Sequence, residues 1–186
     1  KNLNAGEGGA IISDDEDFID QCHAFHNQGR SRRGQGYAIS GSNLRLSEFH
    51  AAVLLVQLSR LEEQVKVREA NAAYLDSLLR EIPGIRPAKS YPGATRNAYH
   101  LYMMHYDAAQ FAGLPRAKFL KAMNAEGIPF RAGYASHRNF EFLRTLPEDR
   151  AFRALFGEAR LREWSRQSFD LPRFERVCQE HVWFSQ

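Results

Sequence analysis

From residue 47 to residue 82 the chain carries neither proline nor glycine, and Pro83-Gly84 closes the run. Within it Phe49, Ala52, Val53, Val56, Leu61, Val65, Arg68, Ala72, Leu75, Leu79 and Ile82 recur at a spacing close to the α-helical period. That spacing predicts one long helix with an apolar stripe. Ser47 and Glu48 suit its start, where a hydroxyl can accept from free amides and a carboxylate meets the positive end of the helix dipole. Proline cannot continue the hydrogen-bond ladder, and glycine tolerates the left-handed turn that ends helices. A helix of that length, apolar mostly on one face, joins two domains or lines a subunit interface. A boundary is therefore expected near Pro83, with residues 1–83 and 84–186 as the two parts.

The flanking sequence adds shorter elements. Gly9 to Ile12 reads as a short buried strand, and residues 15–26 read as a helix with Phe18, Ile19, Cys22, Phe25 and His26 at helical spacing. Asn27 to Gly36 is a polar loop broken by glycines. Its arginines are either solvated or turned toward an anion such as a phosphorylated ligand. Downstream, residues 85–89 and 98–106 read as strands, 116–126 as a helix, and 127–131 as a turn into a strand. Helices are predicted at 148–156 and 157–166, while 174–183 suits either helix or strand. This order predicts an α/β chain whose second part is α+β, with a modest antiparallel sheet.

Composition narrows the function classes. The 186 residues are 44% hydrophobic and 25% charged, as expected of a soluble globular protein with a core. The net charge is +3, and arginines crowd the last third, but Glu141, Glu148, Asp149, Glu158, Glu163, Asp170, Glu175 and Glu180 are interleaved with them. Mixed signs describe a solvated helical surface, so no nucleic-acid partner is expected. The two cysteines, Cys22 and Cys178, lie far apart and outside any CxxC spacing, which suits free thiols in a reducing compartment. No apolar stretch approaches the ~20 residues that span a bilayer, and no signal peptide is visible. A cytoplasmic protein without a membrane partner is expected. His23 and His26 lack a third ligand at suitable spacing, so no metal site is expected. The chain starts at Lys1 and not at methionine, which suggests a piece of a longer parent.

The chemistry-bearing residues begin at Lys1-Asn2-Leu3-Asn4-Ala5-Gly6-Glu7-Gly8-Gly9-Ala10. A lysine amine can form an imine with an aldehyde cofactor and later move a proton. Glycines behind it permit left-handed turns and close approach to a ligand. On these residues alone a solvated surface lysine is the ordinary alternative. In the same way Asn43 reads as a turn asparagine before a helix, and Arg45 as a surface arginine.

The Lys1–Ala10 segment resembles the surroundings of the cofactor lysine in the pyridoxal-phosphate sugar aminotransferases of the DegT/StrS type. Gly41-Ser42-Asn43-Leu44-Arg45-Leu46-Ser47-Glu48-Phe49-His50-Ala51-Ala52 resembles that family's GxNxRxSxxxAA block, at a similar distance after the lysine. Tyr99-His100-Leu101-Tyr102, Gly127-Ile128-Pro129 and Gly133-Tyr134 resemble its small domain. The stretch from Tyr106 to Arg116 resembles members acting on cyclic polyketo or amino-shikimate-type substrates in antibiotic pathways.

The resemblance implies the C-terminal part of a fold-type-I, pyridoxal 5′-phosphate-dependent aminotransferase. Residues 1–83 would be a remnant of the large cofactor-binding domain with its long linking helix, and 84–186 the small α+β domain. Lys1 would be the catalytic, cofactor-carrying residue; some members have histidine there and catalyse a dehydration, so lysine implies the transaminase branch. Asn43 would reach the cofactor phosphate of the neighbouring subunit, which implies a homodimer with shared active sites. Arg45, His100, Tyr134 and His137 are the substrate-binding candidates, with Arg138 beside His137 for an anionic substrate group. The implied reaction moves an amino group from glutamate or glutamine to a keto-sugar, cyclitol or related cyclic ketone, in amino-sugar or antibiotic biosynthesis. The remaining cofactor contacts would lie upstream, so the piece alone is expected to be inactive. Two alternatives stand beside this reading: a non-catalytic oligomerisation fragment, and a dehydratase-like relative using the same cofactor.

Overall fold

A computed structural model describes residues 1–34, 36–137, 140–167 and 170–185. The chain separates into two compact units, Lys1–Val67 and Arg68–Gln186.

In the first unit, α1 (Glu16–His26) begins on Asp15, whose carboxylate accepts from the amides of Asp17 and Phe18 at 3.0 Å each. Those amides have no partner inside the helix, so the aspartate satisfies them and complements the dipole. The strand expected over Gly9 to Ile12 does not form: the segment is irregular, and Ile12 is 94% exposed. A single extended run cannot pair its own amides and carbonyls, and among the described residues the four strands of the sheet all lie in the second unit. The loop arginines turn back onto α1. Arg32 and Arg33 each reach Glu16 at 3.3 Å, Arg33 also pairs with Asp17, and Arg30 lies over the Tyr37 ring at 5.3 Å. Ion pairing with the first turn of α1 therefore accounts for Arg32 and Arg33.

The long helix, α2 (Glu48–Leu79), forms as the unbroken run requires. Its covered stripe agrees with the predicted one at Leu61, Val65, Arg68, Ala72, Leu75 and Leu79. Over the first turns the phase differs. His50, Ala51, Leu54 and Gln57 are the less exposed residues, whereas Phe49, Val53 and Val56 face solvent, Phe49 at 86% exposure. Leu55 and Leu58 are also exposed, so this part is apolar around much of its circumference. Periodicity alone cannot choose a face when two are apolar.

In the second unit four antiparallel strands run in the order β1-β2-β4-β3: β1 (Ile85–Pro87), β2 (Leu101–Tyr106), β3 (Arg131–Ala132) and β4 (His181–Ser185). β2 alternates, with Tyr102, Met104 and Tyr106 buried on one face. This is the period of two that pleated backbone imposes. With Ala72, Ile85, Phe130 and Val182 they form the core, joined by Leu75 and Leu79 of α2 and by Phe119, Leu120 and Met123 of α3 (Arg116–Ala125).

Three further α-helices belong to the described residues of this unit. α4 (Glu141–Thr145) precedes α5 (Arg150–Arg166), which is broken at Gly157 with φ 70° and ψ 161°, close to the predicted division into two helices. The ambiguous C-terminal segment is both helix and strand, because α6 (Pro172–Glu180) runs directly into β4. Arg116 fastens that junction: one guanidinium nitrogen donates to the carbonyls of Cys178 and His181 at 2.8 Å each. These are carbonyls that the end of a helix leaves without helical partners. The interleaved charges of α5 and α6 make exposed pairs, Arg162 with Glu158, Arg160 with Glu163 and Arg176 with Glu180. Cys22 and Cys178 are free thiols. Among the described residues no helix is long and apolar enough to cross a membrane.

Candidate active site

The loop behind Lys1 is shaped by its asparagine and glycines. Asn4 accepts the Gly6 amide on its side-chain oxygen at 2.7 Å, and Gly6 has φ +97°. That dihedral lies in the left-handed region where a Cβ is strained. The turn lies against the start of α2. A Cβ on Gly6 would sit 3.7 Å from His50 Nε2, one on Gly8 would sit 3.1 Å from Leu46, and Gln57 donates to the Asn4 carbonyl at 3.3 Å. The lysine-led loop and the block from Gly41 to Ala52, distant in sequence, are thus neighbours in the first unit. Lys1 itself is exposed.

The second motif is anchored on the end of α1. Ser42 donates to the Phe25 carbonyl at 2.7 Å, Leu44 to that of His26 at 2.9 Å, and Gln28 to that of Ser42 at 3.0 Å, while Asn43 bridges Asn27 in antiparallel fashion. These bonds need the chains closer than a side chain allows. A Cβ on Gly41 would lie 2.5 Å from the Gly29 nitrogen and 2.7 Å from the Ala24 carbonyl oxygen. Both atoms are backbone and cannot swing away. Gly41→Ala is therefore expected to lower stability by about 1–3 kcal/mol. Gly34→Ala, whose Cβ meets nothing within 4 Å, is expected to be near neutral. Urea midpoints of the two variants check the contrast, and equal midpoints would refute the close-approach account.

Asn43 and Arg45 are brought together. Arg45 Nε donates to Asn43 Oδ1 at 3.0 Å. Arg45 follows Asn43 by two residues, a spacing at which side chains can share a face where the backbone is extended. Among the described residues nothing is bonded to the Asn43 amide nitrogen or to the terminal nitrogens of Arg45. The site therefore offers neutral and cationic N–H donors together, a donor set suited to an anion.

The other candidates belong to the second unit. His100 is exposed at the entry to β2. Tyr134 is exposed, with its ring edge-on to Trp183 at 4.6 Å. His137 is exposed and packs beside Phe140 at 4.9 Å and Phe174 at 6.4 Å. It borders an open cavity of about 770 Å³ that Arg144, Trp164 and Arg166 also line. Arg138 lies outside the described residues. Ser136, absent from the sequence reading, is buried and donates to Glu175 at 2.7 Å, which ties the segment after β3 to α6.

At the end of α6, Glu180 faces His105 of β2 at 2.5 Å and Arg176 at 3.1 Å. Burial works to raise its pKa, but hydrogen bonds from His105 and Arg176 outweigh burial and hold the carboxyl below its usual range. Arg86 lies 3.0 Å from His105 Nδ1. In a neutral ring that accepts from Arg86, Nε2–H is the donor to Glu180. His23 and His26 stack edge-to-face at 5.0 Å, and among the described residues no group of three or more His, Cys, Asp or Glu side chains is placed to hold a metal ion.

The fold is thus that of a mixed helix-and-sheet protein, with a lysine-led glycine loop laid on a long helix. A sequence profile of the DegT/DnrJ/EryC1/StrS aminotransferase family matches residues 1–183, and the chain belongs to that family. It is 34% identical to an L-glutamine:2-deoxy-scyllo-inosose aminotransferase of Streptoalloteichus tenebrarius over 99% of this chain and 45% of the relative. It is 41% identical to the 3-amino-5-hydroxybenzoate synthase of Amycolatopsis mediterranei over 55% of this chain and 28% of the relative. The crystal structure of a 3-amino-5-hydroxybenzoic acid synthase matches with a TM-score of 0.69 at 28% identity, covering 99% of this chain and 46% of that one. The chain spans less than half the length of these relatives.

Proposed function

We propose that this chain is the C-terminal part of a fold-type-I, pyridoxal-phosphate-dependent aminotransferase that moves an amino group from glutamine or glutamate to a cyclic ketone of the sugar or cyclitol class. The observation that carries the reading is the likeness, over nearly the whole chain, to an enzyme named for amino transfer from glutamine to a deoxy-inosose. On this reading residues 1–83 end the large domain and 84–186 form the small one. The donor set fits the cofactor: Lys1 offers a primary amine, and Asn43, its oxygen held by Arg45, offers amide N–H groups to a phosphate. When bound, pyridoxal phosphate supplies an electron sink that makes the carbon bearing the amino group acidic. Lys1 carries the cofactor and moves the proton. Asn43 holds the phosphate from a neighbouring subunit, and Arg45, His100, Tyr134 and His137 shape the substrate side.

A homodimer with shared sites is supported by the exposed apolar turns of α2, where Phe49, Leu55, Val56 and Leu58 all face water, since clustered exposed apolar residues mark association surfaces. We place the enzyme in the cytoplasm, in amino-sugar or antibiotic biosynthesis, and expect the piece by itself to be inactive. The test uses the protein made from its complete reading frame, loaded with pyridoxal phosphate and given glutamine labelled with ¹⁵N at the α-amino group and 2-deoxy-scyllo-inosose. Label in an aminocyclitol product is the expected result. Loss of a substrate hydroxyl without label transfer would instead show a dehydratase, and no reaction with any cyclic ketone would leave only the oligomerisation role.

A further inference from the structure

Asn43 presents an amide whose two ends have opposite polarity, and its backbone alone does not decide which end points outward. The bridge to Asn27 and the flanking bonds of Ser42 and Leu44 fix its main chain. The side chain keeps its own torsions, and a half-turn exchanges oxygen for nitrogen at nearly equal cost unless a partner distinguishes them. Arg45 supplies that partner. A guanidinium has donors only, so the atom at 3.0 Å from Arg45 Nε must be the amide oxygen, and the amide nitrogen is left with two N–H groups to give. With the oxygen outward, a bound anion would meet a carbonyl dipole of the wrong sign.

We propose that Arg45 is a positioning residue for the cofactor phosphate: it locks the Asn43 amide with its N–H groups outward, so that Asn43 can donate to the anion. The inference rests on the reading above, in which Asn43 holds the phosphate. It assigns Arg45 a role different from substrate binding. The planar guanidinium suits the task because Nε–H projects from a rigid fork, whereas an ammonium on a flexible stem fixes no direction.

The test compares binding of pyridoxal phosphate with binding of pyridoxal, which lacks the phosphate, to the complete protein, by titration of cofactor absorbance. Arg45→Ala is expected to weaken pyridoxal phosphate about tenfold, equal to one lost charge-assisted hydrogen bond, and to leave pyridoxal unchanged. In an Asn43→Ala background the same change is expected to have less than about a twofold effect, since coupled residues do not add. Arg45→Gln, neutral but still an N–H donor, is expected to keep more affinity than Arg45→Lys. Additive losses, rescue by lysine and a strong salt dependence would show that Arg45 acts on the phosphate by charge, and would overturn the proposal. So would an unchanged affinity ratio in Arg45→Ala while Asn43→Ala lowers it. If Asn43→Ala leaves the ratio unchanged, the phosphate role of Asn43 itself fails. Circular dichroism of each variant separates these outcomes from misfolding. Both side chains are exposed, so the fold is expected to survive.

Discussion

Replacing Lys1 with alanine in the complete, cofactor-loaded protein is expected to remove the borohydride-trapped pyridoxyl label from this segment and to lower amino transfer by at least about 10²–10⁴-fold. That range is what a positioned proton-transfer group alone contributes; loss of the covalent cofactor attachment adds to it. Lysine is required because the role needs a primary amine that can exchange its bond to an aldehyde and then act as a base. Lys1→Arg keeps a charge and should fare no better than alanine, since a guanidinium stays protonated. Peptide mapping by mass spectrometry reads the label directly, independent of turnover. A pyridoxyl group found on Lys66, Lys89 or any other lysine, with Lys1 unmodified, would remove the foundation of the proposed function.

Tyr102→Ala is expected to cost about 3–5 kcal/mol of stability, the range for emptying an aromatic site in a packed core. Tyr102 is 2% exposed on β2, with its ring stacked on Phe184 at 5.4 Å and near Tyr99 at 6.3 Å. Its hydroxyl donates to the carboxylate of Asp76 on α2, so truncation also leaves that carboxylate without its donor. Tyr102→Phe keeps the ring and is expected to cost about 1–3 kcal/mol, for the unpaired partner alone. The same arrangement has a pH signature. Burial first, and then the Asp76 bond, push the phenol above its ordinary value of 10.0. A group whose folded pKa is raised contributes stability that is full below its unfolded pKa and is lost as pH rises through the folded one. Urea unfolding from pH 8 upward should therefore show stability falling past the ordinary phenol range, with a smaller fall in Tyr102→Phe. Burial also raises Tyr99 and Tyr106, so some of the fall should persist. A truncation cost below about 1 kcal/mol would contradict the packing account.

Much of the secondary structure was legible because it rests on local physics. The acidic start at Asp15, the unbroken run into α2, the alternation of Tyr102, Met104 and Tyr106, and the break at Gly157 all follow from capping, periodicity or backbone freedom within a few residues. The errors lie where the deciding neighbour is distant in sequence. Ile11 and Ile12 look like a buried strand, but a strand needs a partner to pair with. Phe49, Val53 and Val56 look like the covered side of α2, yet the glycine loop lies against the face that carries His50 and Gln57.

The candidate residues divide in the same way. Lys1, Asn43 and Arg45 were named from the resemblance of their motifs to those of the family, and family membership is now shown across residues 1–183. That Arg45 bonds the Asn43 oxygen, that Ser136 is tied to Glu175, and that Tyr102 meets Asp76 could not be read from the string, since side-chain partners depend on backbone placement. By itself, then, the sequence determined where helices and strands could form and which family the chain belongs to, because both depend on residue types at short or fixed spacing. The tertiary structure alone decided which apolar face is covered, which arginines are spent on neighbouring carboxylates, and which way an amide is held. Each of those is an interaction between groups that only folding brings within hydrogen-bonding or packing distance.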